Sequence, residues 1–186
     1  MDKRRLIRVS KYLAKHLRHQ PDRLGLTLAP GGWMPIEALL EACARNCFPI
    51  TRAELLTVVA ANDKQRFALD ETGTLIRANQ GHSVEVDLQL EPQEPPALLY
   101  HGTPAHAVDS ILRTGLCKMT RHHVHLYDAG GIEAARAVAR RRGRPVLLEV
   151  AAAAMHADGF VFYRSANGVW LVDHVPPAYL RQVDEA

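Results

Sequence analysis

Glu91-Pro92-Gln93-Glu94-Pro95-Pro96 carries three prolines and two glutamates in six residues, with no apolar periodicity. Each proline fixes φ and removes a backbone donor, so the stretch continues neither a helix nor a central strand. It reads as a linker at about 91–96, and the chain is expected to fold as two lobes, 1–90 and 97–186. At 186 residues, 47% of them hydrophobic, each lobe has material for a core. No apolar run approaches the length of a membrane span, and no apolar stretch follows the charged start Met1-Asp2-Lys3-Arg4-Arg5. A soluble, cytoplasmic protein with no membrane partner is expected. Cys43, Cys47 and Cys117 make no disulfide framework, which suits a reducing compartment.

Before the linker the periodicity is helical. Leu6, Val9, Leu13 and Leu17 predict a helix over about Arg4 to His19, stopped by Pro21, with Arg18 and His19 in its last turn. A second helix is expected from Pro35 to about Asn46, with Ile36, Leu39, Leu40 and Cys43 inward. A third runs from Thr51 to about Asn62, where Thr51 and Glu54 have capping-box spacing. Arg66 to Leu69 and Leu75 to Arg77 then flank Asp70-Glu71-Thr72-Gly73-Thr74 as a hairpin. Phe67 and Leu69 inward would turn Arg66 outward. Three helices followed by a hairpin suggest a winged-helix-like lobe. The basic first helix is compatible with phosphate contacts, and equally with an ordinary solvated face.

After the linker strands and helices alternate. Ala97 to Tyr100 reads as a strand leading into His101-Gly102-Thr103, and Ala105 to Thr114 as a helix stopped by Gly115. Arg121-His122-His123-Val124-His125-Leu126 reads as a strand with Arg121, His123 and His125 on one face. Ile132 to Arg142 is a helix, Val146 to Val150 a buried strand, and Phe160 to Tyr163 pairs with Val169 to Val172 across an Asn167-Gly168 turn. The fold class is α+β, with a small mixed sheet in the second lobe.

Three chemistries compete for these residues. His123 and His125 with Cys117 or Asp128 offer zinc ligands, but the spacing is irregular and Arg121 would oppose the cation; no metal is expected. Ser110 and Ser165 lack a glycine-flanked elbow, and neither a P-loop nor a G-x-G-x-x-G follows a strand. Arg18, His19, Arg66 and Arg121 suit a phosphoryl group that must be held and stabilised in charge, if the fold brings them together.

Leu17-Arg18-His19-Gln20-Pro21, Lys64-Gln65-Arg66-Phe67, Asn79-Gln80-Gly81-His82-Ser83, Tyr100-His101-Gly102-Thr103, Arg121 to Leu126 and Asn167-Gly168-Val169-Trp170-Leu171 occur in the order found in the NAD-dependent RNA 2′-phosphotransferases. The chain resembles that family from about Leu6 to Tyr179. The resemblance implies a winged-helix lobe followed by a C-terminal ADP-ribosyltransferase-like lobe. It implies transfer of an internal RNA 2′-phosphate to NAD+ through an ADP-ribosylated RNA phosphate, giving 2′-hydroxyl RNA, nicotinamide and ADP-ribose 1″,2″-cyclic phosphate. The partners it implies are 2′-phosphorylated RNA and NAD+; a monomer is expected. By motif, Arg18, His19, Arg66 and Arg121 match the family's essential tetrad, and His101, Gly102 and Thr103 its NAD-binding strand end. The His123/His125 face is expected to join the NAD+ site. Tyr127 stands where the family often has serine.

Asn167 to Leu171 contains no carboxylate. A 2′-phosphate is already anionic and needs no base to act as nucleophile, so a site rich in arginine fits it. One rival reading is an enzyme that ADP-ribosylates terminal phosphates of RNA or DNA. The other is a winged-helix DNA-binding regulator with a nucleotide-sensing domain. The third helix, with mainly Arg52, Glu54 and Asn62 to offer bases, argues against the latter.

Overall fold

The computed structural model describes residues 1–61 and 65–183. Asn62 and Lys64, named above, lie outside the described residues. The chain divides into two compact units, Met1–Gln89 and Leu90–Ala186.

In the first unit, α1 (Lys3–Arg18) begins at Asp2, whose side chain accepts from the Arg5 N–H at 2.8 Å. Val9, Leu13 and Leu17 recur every fourth residue and form its buried stripe. His19 closes the helix with its N–H on the Lys15 carbonyl, and a 3₁₀ turn over Pro21–Leu24 follows. A two-residue strand, β1 (Met34–Pro35), precedes α2 (Ile36–Arg45); α3 (Arg52–Ala60) starts at the expected Thr51–Glu54 capping box. Arg5 of α1 pairs with Glu54 of α3 at 2.8 Å. β2 (Phe67–Leu69) and β3 (Leu75–Ala78) form the expected hairpin, in register Phe67↔Ala78 and Leu69↔Ile76. The Asp70 carboxylate holds its turn, accepting from the N–H groups of Thr74 at 2.9 Å and Leu75 at 2.7 Å. β1 adds to the other edge of β3, which no local pattern announces. One core, including Leu13, Ile36, Leu39, Leu55 and Ile76, is shared by all three helices and the sheet.

In the second unit, β4 (Leu99–Pro104) leads through a 3₁₀ turn to α4 (Val108–Thr114), which ends at Gly115 with φ of 88°. β5 (Leu116–Cys117) and β6 (Val124–Leu126) follow, then α5 (Ile132–Ala139), β7 (Pro145–Val150) and α6 (Ala152–Ala157). β8 (Tyr163–Arg164), β9 (Trp170–Val172), β10 (His174–Val175) and β11 (Leu180–Gln182) complete it. β7 is central to one sheet, between β4 and β11; β9 is central to another, between β6 and β8. Tyr100 and Tyr127 exchange backbone hydrogen bonds at 2.7 and 2.9 Å, linking β4 to the chain just past β6. Leu99, Leu126, Met155, Phe162 and Val172 lie in its main core.

Four expectations change. Every strand pairing among the described residues is antiparallel, so the expected mixed sheet is a set of small antiparallel ones. Side-chain alternation has the same period in either orientation and carried no information on it. The histidine strand is confined to Val124–Leu126, because its partner β9 spans only Trp170–Val172. Arg121–His123 instead follow a turn in which the Arg121 N–H meets the Lys118 carbonyl at 3.1 Å and Met119 has φ of 56°. His101, Gly102 and Thr103 lie within β4 rather than past its end, since all six β4 residues pair with β7. The proline-rich stretch is tied into the second unit: the Gln93 N–H donates to the Phe162 carbonyl at 2.8 Å and Pro92 bridges Tyr163. Among the described residues no helix is long and apolar enough to cross a membrane.

Candidate active site

The first unit contributes Arg18, His19 and Arg66. Arg18 is the last residue of α1 and half-buried; His19 is its exposed cap. Cations suit this end of a helix, where the unpaired carbonyls concentrate negative potential. One of those carbonyls, that of Arg18, accepts from the N–H groups of Ser83 at 2.9 Å and Val84 at 3.4 Å. The Ser83 hydroxyl also meets Nδ1 of His19 at 2.9 Å. Arg66 is half-buried and immediately precedes β2. Its carbonyl accepts from the Asn79 N–H at 2.9 Å, and the Asn79 side-chain amide donates to the Gln65 carbonyl at 2.5 Å. All three predicted residues are therefore attached, through main chain or side chain, to the segment that follows β3. His82 within that segment is fully buried.

The second unit contributes Arg121 and the histidines. His101 and Thr103 share one face of β4 by the pleat, and Gly102 faces the other way. A Cβ on Gly102 would lie 2.0 Å from the carbonyl oxygen of Ala135 in α5. The missing side chain thus serves the helix–strand contact, and a ligand has no access from that side. His101 Nδ1 lies 3.0 Å from the His125 carbonyl, which only accepts, so Nδ1 carries the proton. Burial, and then the charge of Arg121, lower the pKa of His101 against that hydrogen bond. His101 is thus a neutral imidazole at neutral pH. Arg121 Nη1 lies 3.2 Å from Nδ1 of His125. A guanidinium only donates, so Nδ1 of His125 is the acceptor and its proton sits on Nε2. His123 lies outside β6, edge-on to Tyr163 at 5.5 Å. Its pKa is lowered first by burial and then by His122 and Lys118. The structure brings Arg121, His125 and His101 together in one hydrogen-bonded chain, while the ring contacts of His123 are with His122 and Tyr163.

Three features near these residues make contacts that the sequence did not indicate. Asn79 and Ser83 hold the first cluster, although their contacts span distances no local pattern encodes. Asp128 forms an ion pair with Arg164 at 3.6 Å, and Arg164 stacks over the Trp170 ring at 5.4 Å. Tyr127 is held by the β4 bridge, and burial raises its pKa against the opposing charges of Arg121 and Arg141. No group of three or more His, Cys, Asp and Glu side chains among the described residues is arranged to hold a metal ion.

The arrangement can bind anions at two places: at an arginine–histidine helix end in the first unit and at Arg121 in the second. Residues 4–174 match the family described as RNA 2′-phosphotransferase, Tpt1 / KptA family. The chain is 61% identical over 183 residues to a "Probable RNA 2'-phosphotransferase" of Nostoc punctiforme, covering 98% of this chain and 100% of that one. It is 57% identical over 187 residues to a protein of the same name from Streptomyces griseus, covering 97% and 98%. A third, from Pseudomonas fluorescens, is 46% identical over 182 residues, covering 97% and 99%.

Proposed function

The chain belongs to the RNA 2′-phosphotransferase, Tpt1 / KptA family, and from that premise we propose that it transfers an internal RNA 2′-phosphate to NAD+. The first unit is then the winged-helix lobe that receives the RNA phosphate through Arg18, His19 and Arg66. The second is the ADP-ribosyltransferase-like lobe, where NAD+ lies near His101, Thr103, His125 and His123, and Arg121 supplies a cation for anionic oxygens. The observation that carries the reading is the attachment of Arg18, His19 and Arg66 to one segment, Asn79–Val84. Residues scattered over the sequence are tied together, as shared recognition of one anion requires.

The second unit's chemistry suits NAD+ as the second substrate. Arg121, with the His125 ring beside it, offers charge-assisted donors to anionic oxygens, while Thr103 on β4 is buried. His101 and His123, with pKa values lowered by burial, add no positive charge beside a cationic nicotinamide. Two steps follow. An oxygen of the RNA 2′-phosphate attacks the anomeric carbon of the nicotinamide ribose, and nicotinamide leaves with the electrons of its glycosidic bond. The ribose 2″-hydroxyl then attacks the same phosphorus, the bond to the RNA 2′-oxygen breaks, and that oxygen takes a proton. The first step mainly requires alignment of two reactants. The second builds charge on phosphoryl oxygens and the leaving oxygen, so it leans on the arginines. Imidazole changes charge near neutrality, so His19 is the candidate proton donor.

Incubation with NAD+ and a short RNA bearing an internal 2′-phosphate tests this. The expected products are 2′-hydroxyl RNA, nicotinamide and ADP-ribose 1″,2″-cyclic phosphate. Arg121→Ala should slow the second step by about 10²–10³ and at least as much as the first. An NAD+ analogue lacking the 2″-hydroxyl should release nicotinamide and stall with ADP-ribose on the RNA phosphate. Modification of terminal phosphates only, with the 2′-phosphate untouched, would replace this reading by terminal ADP-ribosylation.

A further inference from the structure

Resting on that reading of the first unit, we propose that Asn79–Ser83 is the positioning element of the phosphate-binding cluster. In it, Ser83 sets the ring of His19 and Asn79 sets the backbone from which Arg66 projects. The two contacts lie four residues apart on one segment, so a single loop conformation places both cations.

The Arg66 end is held against strain. Gln65 has φ of 41°, in the left-handed region that non-glycine residues rarely adopt. Such a conformation persists where the surroundings over-determine it. Asn79 supplies that constraint twice, through its N–H on the Arg66 carbonyl at 2.9 Å and its amide on the Gln65 carbonyl at 2.5 Å. Asn79 is itself only 7% exposed, so the clamp has little freedom.

The His19 end is held without being buried. Its backbone N–H caps α1, and the Ser83 hydroxyl meets Nδ1 of the exposed ring at 2.9 Å while the Ser83 N–H satisfies the Arg18 carbonyl. A hydroxyl both donates and accepts, so it donates to Nδ1 of the neutral ring and accepts from Nδ1–H of the imidazolium. The ring therefore keeps one orientation through a proton transfer. A carboxylate there would favour the cation and repel an incoming phosphate.

Two features anchor the loop. His82 is 0% exposed, and its ring packs where a Cβ on Gly32 would come within 3.4 Å of Nε2. Gly81 has φ of 86°, the conformation that lets the chain turn between the two clamps.

The test uses the full chain, NAD+ and RNA with an internal 2′-phosphate, under single-turnover conditions. Ser83→Ala should lower the rate about 10-fold, the loss of one orienting hydrogen bond. Its KM for NAD+ should stay within about twofold, because that substrate is assigned to the other unit. Ser83→Thr, which keeps the hydroxyl, should recover most of the rate. In a His19→Ala background, Ser83→Ala should add less than about a twofold further loss, since there is no ring left to position. Asn79→Ala should behave the same way against Arg66→Ala. Affinity for the 2′-phosphorylated RNA without NAD+ should fall in both loop variants. If Ser83→Ala lowers the melting temperature strongly, Ser83→Cys keeps the volume with a much weaker donor and should show the same loss of rate. The proposal is overturned if His19→Ala is inactive while Ser83→Ala and Ser83→Cys react at the wild-type rate. Losses that multiply in the double variants overturn it too. A His19→Ala enzyme that retains full activity would instead remove His19 from the proposed function.

Discussion

The two units hold their site residues by different means. In the first, the residues stand at element ends and are fixed by hydrogen bonds from a loop. In the second, His101, Thr103 and His125 lie within strands and are fixed by register, with Arg121 laid against them. The contrast predicts different modes of failure. A loop clamp can be loosened while the fold stays intact, so damage appears in rate. A strand register cannot slip by one residue without turning each side chain to the opposite face, so damage appears in stability.

The largest effect should come from breaking the second arrangement. Gly102→Ala would put a methyl group against the Ala135 carbonyl, at 2.0 Å in the present backbone. Neither backbone atoms nor a packed helix can yield cheaply, so a loss of about 3 kcal/mol is expected. Hydrogen exchange should show lost protection across β4, α5 and β7, with the amides of α1–α3 still protected. Equal loss in α1–α3 would mean that the units do not keep separate stability.

A smaller effect should follow at the start of α3. Thr51→Ala removes one half of the capping box, at a cost of about 1 kcal/mol in stability, read as a lower denaturation midpoint. Turnover at saturating substrate should change little, because the hydrogen bonds of Thr51 serve the capping box with Glu54. A loss of rate comparable to that of Asn79→Ala would blur the distinction between fold and clamp.

The smallest effect separates the units by pH. Glu54 is held down to about 2, chiefly by the Arg5 side chain and then by the Thr51 backbone, from an ordinary 4.5. A depressed carboxyl stabilises the fold above its unfolded pKa, and that stability is lost as pH falls from 4.5 through about 2. The pair is partly exposed, so its contribution is under about 1 kcal/mol and is screened by salt. His101 shifts its loss to a higher pH. Its folded pKa lies below the ordinary 6.5, so its contribution is full above 6.5 and falls as pH drops below that value. In an NMR titration His101 should protonate below the ordinary 6.5. Protonation of His101 at or above 6.5 would contradict the neutral Nδ1–H assignment.

Much of the scaffold was legible because it is local. Val9, Leu13 and Leu17 declare α1 by spacing, and Thr51 with Glu54 declares the start of α3. Asn167-Gly168 declares the β8–β9 turn, where Gly168 has φ of 80° and the Ser165 and Gly168 N–H groups close the loop. Arg18, His19, Arg66 and Arg121 were singled out by residue type and by resemblance, and the structure places the first three on a common support.

The rest depended on neighbours that the sequence does not name. The histidine run looked like six strand residues, but the length of β9 limits the ladder to three. Gly102 matches the NAD-binding strand end by resemblance, but α5 packs against its open face. The ring of His19 is set by a serine 64 residues away, and the main chain before Arg66 by an asparagine 14 residues from Gln65. The sequence by itself determined where helices, caps and turns form, because those rest on contacts three or four residues apart or on alternation. The tertiary structure decided strand length, pairing, which nitrogen of each histidine is engaged and what supports each cation. Those depend on which groups meet across the fold, and no local periodicity records that.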